Sequence, residues 1–154
     1  MSDTSDLGVS PLSLRDEELS DLLAGQRFGA LATMTAGGRP HLSTVAYTWD
    51  PRRRVVRIST VADRPKVRQL HQNPRCALYA ASDDFSSYVV AEGEAELSPV
   101  SDEPGDEVGR ELLAHLGPVG DEETFLRRAV TDRRLVIRLR VSRLYGSALP
   151  VASA

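Results

Sequence analysis

The chain has 154 residues, enough to bury the core of one domain, and its 22 acidic against 19 basic side chains leave a net charge of −3. That balance excludes a general basic field for nucleic acid or an anionic membrane, and the single cysteine, Cys76, excludes an internal disulfide or a cysteine-built metal cluster. No apolar run reaches the length of a membrane span, and the start Met-Ser-Asp-Thr-Ser-Asp lacks the basic and apolar regions of a secretory signal, so the expected location is cytoplasmic.

Residues 1–10 read as a polar, disordered tail ahead of a single domain over 11–148. Pro11 to Gly25 predicts a helix. Ser13 with Asp16 resembles a capping box, Leu19, Leu22 and Leu23 form an apolar stripe, and Gly25 is a natural stop. Gly29 to Thr35 is a strand of small residues, followed by a turn at Ala36-Gly37-Gly38-Arg39. Pro40 to Trp49 is the second strand. His41, Ser43, Val45, Tyr47 and Trp49 alternate with Leu42, Thr44, Ala46 and Thr48, so hydroxyls fall among apolar residues on both faces, as in a barrel strand bordering a pocket. Asp50-Pro51 turns the chain, and Arg54 to Thr60 returns as the third strand.

The next stretch, Ser59-Thr-Val-Ala-Asp-Arg-Pro-Lys-Val-Arg-Gln-Leu70, joins that strand to a helix over Arg64–Gln72. Pro65 suits the first turn and Asp63 is the expected N-cap. Two hydroxyls, Ser59 and Thr60, then end a strand while Arg64 and Lys66 sit in the first helical turn. A helix N-terminus offers free N–H groups and partial positive charge, Arg64 a planar fork and Lys66 a point charge. This chemistry suits a phosphate-binding corner; it equally suits an exposed basic helix start, and both readings stand.

Asn73-Pro74 stops the helix. Arg75 to Ala81 is strand four, Ser82 to Ser86 a loop, and Ser87 to Leu97 strand five, with Glu92, Glu94 and Glu96 on a wet face and Gly93 marking a bulge. After a Pro/Asp/Gly-rich loop over Ser98–Asp106, Val108, Leu112 and Leu116 recur every four residues up to Gly117-Pro118. Asp121 to Val130 forms another amphipathic helix. Arg134 to Ser142 is the last strand, with Leu135, Ile137, Leu139 and Val141 inward and Arg138 and Arg140 outward. About six strands joined mostly by hairpins, with helices between, predict a mainly β, α+β fold: an antiparallel barrel with peripheral helices.

Taken together, Gly29-Ala-Leu-Ala-Thr, Gly38-Arg-Pro-His-Leu-Ser-Thr-Val-Ala-Tyr-Thr-Trp-Asp-Pro51, Arg64-Pro-Lys-Val-Arg-Gln-Leu-His-Gln-Asn-Pro74, Val90-Ala-Glu-Gly-Glu-Ala and Val130-Thr-Asp-Arg-Arg134 make the chain resemble a known family over Leu22–Gly146. The family is that of the split β-barrel flavin and deazaflavin oxidoreductases related to pyridoxamine 5'-phosphate oxidase, and the branch it is most similar to uses coenzyme F420. The resemblance implies a six-stranded split barrel and a homodimer with two cofactor sites at the subunit interface. It places the cofactor phosphate against Ser59, Thr60, Arg64 and Lys66, and the ring over the second strand near His41 and Thr44. Phe85, Ser86 and Tyr88 of the other subunit would close the site. Thr44 stands where some relatives carry an amide, and Phe85 would substitute for a bulkier aromatic expected near Ser86.

The implied reaction is hydride transfer from reduced F420 to an electron-poor C=C or C=O, as in an enone, a quinone or a tetrapyrrole, with the protein supplying placement and electrostatics. His41 is the candidate proton donor; the alternative is a strand histidine that only hydrogen-bonds. His71 and His115 read as surface residues, Cys76 as a small core residue, and Tyr47 and Trp49 as aromatics that line a pocket or fill the dimer interface, the interface favoured. Arg133, Arg134, Arg138 and Arg140 read as a solvated or ion-paired strand face. Two other functions remain open: an FMN-dependent, pyridoxamine-phosphate-oxidase-like enzyme, and a non-catalytic carrier of flavin, deazaflavin or haem, for which His41 is the placed axial candidate. No residue set calls for a metal.

Overall fold

A computed structural model describes residues 12–116 and 120–150. The expected tail over 1–10 and the stop at Gly117-Pro118 lie outside them. Seven strands and four helices follow in the order β1 (Leu12–Ser13), α1 (Asp16–Ala24), β2 (Phe28–Met34), β3 (Pro40–Asp50), β4 (Val55–Val61), α2 (Pro65–Gln72), β5 (Arg75–Ala81), β6 (Ser87–Leu97), α3 (Glu107–Leu116), α4 (Glu122–Thr131) and β7 (Arg134–Ala148). The sheet runs β1-β7-β4-β3-β2-β5-β6, and a further β6–β7 pairing closes six of these strands into an antiparallel barrel with β1 attached outside. The α+β split barrel predicted from sequence is the fold.

Closure works because β7 is long. Its first half pairs with β4, from Val61↔Arg134 to Val55↔Arg140, while Ile137 to Ala148 pair along β6. The register slips between Glu92 and Gly93, the bulge expected there. A Cβ at Gly93 would overlap the Arg140 carbonyl oxygen, so the two strands approach as closely as they do only because that position has no side chain.

Two differences from the sequence reading have local causes. The helix predicted over Pro11–Gly25 starts later, because Leu12 and Ser13 pair with Ala148 and Ser147 at the end of β7. The N-cap is therefore Arg15, and Glu18, not Asp16, returns to cap its backbone N–H at 2.9 Å. Tyr47, expected at an interface, belongs to the core, and Trp49, half-buried, packs against it. Tyr47 is buried and donates to the Leu23 carbonyl at 2.6 Å, and Trp49 donates through Nε1 to the Ser20 hydroxyl at 2.9 Å, so both anchor α1 to the barrel.

The barrel interior is filled by Leu31, Ile58, Leu78, Val89, Ile137 and Leu139, all fully buried, with Leu23 sealing one end. Each such side chain contributes about 1.5–3 kcal/mol of transfer free energy. Cys76 lies in the same core, and burial pushes its thiol up to about 12, so it stays an unreactive thiol. A smaller cluster of Val108, Leu112, Ala129 and Val136 fastens α3 and α4 onto the outer face of β7. Beside it, Glu111 of α3 takes Arg57 Nε at 2.9 Å and a fork from Arg138, while Glu96 takes Arg138 and Arg140 at 3.2 and 3.1 Å. The outward arginines of β7 are thus ion-paired. No described helix is long and apolar enough to cross a membrane.

Candidate functional site

The site begins with a gap in the barrel ladder. β3 and β4 pair only from Tyr47↔Ile58 to Asp50↔Val55. Beyond Tyr47, β3 continues against β2 alone, as far as Met34↔Pro40, and β4 continues against β7 alone, as far as Val61↔Arg134. The two strands part, and the helix after β4 packs Val67 and Leu70 into the core against β2 and β6. A groove of about 390 Å3 occupies the gap, lined by Ser43–Ala46 on one side and Ser59–Val61 on the other, with Arg64, Lys66 and Arg134 at its rim. Across it the facing backbone edges have no ladder partner, which leaves N–H and C=O groups for a ligand.

The cations at the rim are uncommitted. Among the described residues neither Arg64 nor Lys66 has an acidic partner within 4.0 Å. Lys66 is half-buried; that burial, and then the Arg64 charge, lowers its pKa from the ordinary lysine value. Arg64, not the expected Asp63, occupies the N-cap of α2, with extended backbone and no side-chain cap; Pro65 follows as the first helical residue. No acid stands in the first turn. Two cations at an uncapped helix N-terminus favour an anion. Ser59 is half-buried and its hydroxyl accepts from Arg134 Nη1 at 3.0 Å, while Thr60 is buried. The Ser43 hydroxyl, in the groove wall, is buried with no hydrogen-bond partner.

The structure therefore brings together Thr44, Ser59, Thr60, Arg64 and Lys66, and adds Ser43 and Arg134, which the sequence reading did not single out for the site. His41 is elsewhere. It lies on the opposite face of β3 from Thr44, and its Nδ1 meets Gln69 Oε1 of α2 at 2.9 Å, an oxygen that also accepts from the Thr33 hydroxyl at 2.6 Å. With Thr33 donating, Nδ1 carries the proton, and the imidazole ties α2 to β2 and β3. Phe85, Ser86 and Tyr88 lie outside the groove lining, on the β5–β6 hairpin, where Tyr88 stacks on Tyr79 at 5.5 Å and Phe85 is exposed with a φ of 64°. Among the described residues no cluster of His, Cys, Asp or Glu could hold a metal. A second hollow, of about 460 Å3, shares Ala46, Ser59 and Arg134 with the groove and extends under α4.

Residues 16–147 match the sequence profile described as pyridoxamine 5'-phosphate oxidase. Solved structures with the same fold include a conserved hypothetical protein from Mycobacterium tuberculosis, 23% identical, covering 92% of each chain with a TM-score of 0.69. A FAD-binding protein from Mesorhizobium loti is 17% identical, covering 94% of this chain and 100% of its own, with a TM-score of 0.68. An F420 reductase is 24% identical, covering 81% of this chain and 94% of its own, with a TM-score of 0.60.

Proposed function

The chain belongs to the pyridoxamine 5'-phosphate oxidase family, and from that premise we propose that it is an oxidoreductase binding a phosphate-bearing redox cofactor, coenzyme F420, in the groove between β3 and β4. The observation that carries this is the pair of uncommitted cations, Arg64 and Lys66, at the uncapped start of α2. A phosphate there gains charge-assisted hydrogen bonds and relieves the Arg64–Lys66 repulsion. Arg68, one turn beyond Arg64 on α2, is exposed and folds back to the Asp63 carbonyl at 3.3 Å, adding a third cation near the corner for the acidic tail that F420 has and FMN lacks.

The donor set fits the ring as well as the phosphate. The unpaired strand edges and the Thr44 hydroxyl, on the exposed face of β3, suit the carbonyl and N–H groups of a pyrimidine-type ring edge. Thr44 and Ala46, exposed and small, leave the outer side of β3 open for a flat ring. When bound, F420 supplies a hydride from C5 to an electron-poor double bond. The residues of the chain bind and orient. Among the described residues of one protomer no carboxylate or imidazole lines the groove.

A second copy of the chain would finish the site. Phe28 (59% exposed) and Leu42 (66% exposed) flank a face of small residues, Ala30, Ala32 and Ala46, on the outer side of β2 and β3. Covering that face in a homodimer would bring Phe85, Ser86 and Tyr88 of one protomer toward the groove of the other.

The test is titration with F420 and FMN side by side, for the native protein and Lys66→Ala, with turnover of an enone and a quinone and with sedimentation. The reading expects preference for F420, a fall of about tenfold or more in affinity for the variant, hydride transfer and a dimer. FMN preferred over F420 would move the protein to flavin chemistry. Tight binding without transfer would make it a carrier, and unchanged affinity in Lys66→Ala would remove the phosphate corner.

A further inference from the structure

Among the described residues the hollow under α4 has walls of two kinds. Leu116, Phe125 and Ala129 give it an apolar lining, and Arg128 of α4 stands exposed at its edge. Among the described residues Arg128 has no acidic partner within 4.0 Å. One acid, Asp132, also lines the hollow, but its carboxylate lies 3.7 Å from Arg134 Nε and is engaged there. The hollow thus offers apolar surface with one uncommitted cation beside it.

We propose that this hollow binds the aromatic or conjugated body of an organic acid, with the carboxylate or sulfonate on Arg128. A neutral quinone would leave the guanidinium without a partner. A small inorganic anion would gain nothing from Phe125 and Leu116 and finds two cations at Arg64 and Lys66 instead. An apolar anion uses both halves: ring burial against Phe125 and a charge-assisted hydrogen bond to Arg128. Ala46, Ser59 and Arg134 are shared walls, so the occupant lies directly beside the groove with no strand between. That this occupant is the hydride acceptor rests on the function proposed above; that the hollow binds acids of this class does not.

The test uses cofactor-free protein and two fluorescent probes with the same aromatic body, anilinonaphthalene sulfonate and the neutral N-phenyl-naphthylamine. The sulfonate is expected to bind about fivefold more tightly, the scale of one partly exposed ion pair. Arg128→Gln, at an exposed helical position that glutamine tolerates, should abolish that preference through the sulfonate alone, and Arg128→Lys should restore most of it. Affinities for F420 and FMN should not move. An unchanged preference in Arg128→Gln overturns the proposal, because the probe then sits elsewhere. So does a parallel loss of F420 affinity, which would give the hollow to the cofactor's acidic tail. If neither cofactor binds at all, the function proposed above fails while the probe titration still decides this site.

Discussion

Arg134 donates to the Ser59 hydroxyl at 3.0 Å, from the start of β7 to the neighbouring β4. The bond occupies a lone pair of Ser59 and leaves its proton free to turn into the groove. Arg134 also stands where the groove and the second hollow meet, so one guanidinium fixes the wall common to both.

Anion affinity should depend on the charge of Lys66. In the free protein burial, then Arg64, lowers its pKa, so the unfolded chain holds that proton more tightly than the folded one. Folding stability from this group therefore grows as pH rises through the window below the ordinary lysine value. A bound phosphate acts the other way by favouring the ammonium. Affinity should fall as pH rises through the Lys66 titration, and Lys66→Gln should flatten the profile. Lys66 is the only lysine in the chain. An amine-directed label should accordingly modify it and the N-terminus alone, and bound ligand should protect it.

Ser43→Ala should spare both binding and stability. The native hydroxyl is buried without a partner, so its removal should leave the melting temperature of the free protein unchanged or slightly raised. Cofactor affinity should change by less than about 0.5 kcal/mol, because the hydroxyl is buried on the face of β3 away from Thr44. Calorimetry and titration on the same samples read both.

The residue types of the corner were legible in the sequence; its geometry was not. β5 and β6 could be bounded at Arg75–Ala81 and Ser87–Leu97 because turn residues bracket each strand. The start of α1 was hidden, since Leu12 and Ser13 follow their distant partners in β7 and not their local helix signals. The extension of β7 through Arg143–Ala148 was hidden for the same reason: β6 recruits a stretch with weak strand patterning. Arg64 and Lys66 by residue type suit an anion and an exposed basic helix start equally; it is the absence of an acidic partner or side-chain cap among the described residues that favours the anion. Ser43 and Arg134 acquire their places from the parting of β3 and β4, a matter of strand partners that no local pattern encodes. The resemblance implies a ring near both His41 and Thr44, but strand alternation turns His41 to the other face, where Gln69 holds it.

Glu111→Gln should destabilise the fold by about 2 kcal/mol, less than for a fully buried pair because the cleft is partly open. Hydrogen bonding from Arg138, and then from Arg57, holds the Glu111 carboxyl below its usual range. Its contribution is present above the ordinary glutamate value and disappears as pH falls through the lowered one. Acid unfolding of the native protein should accordingly be steeper than that of the variant, and denaturant midpoints across that range measure the difference.

Gly93→Ala should cost about 2 kcal/mol or more, since its Cβ would collide with the backbone of Arg140. Gly37→Ala, whose Cβ would have its nearest neighbour 3.9 Å away, should change stability by about 0.5 kcal/mol or less. Urea midpoints for the two variants make the comparison.

The double pairing of β7 also bears on how the chain comes off the ribosome. β4 is synthesised long before the strand that satisfies its outer edge, and β6 also waits for that same strand. Throughout elongation the nascent chain carries two sticky borders, and contacts this distant in sequence form slowly once they become possible. Translation past the last residues of β7 is thus the step that converts an aggregation-prone meander into a sealed cylinder, and chaperone demand should end there.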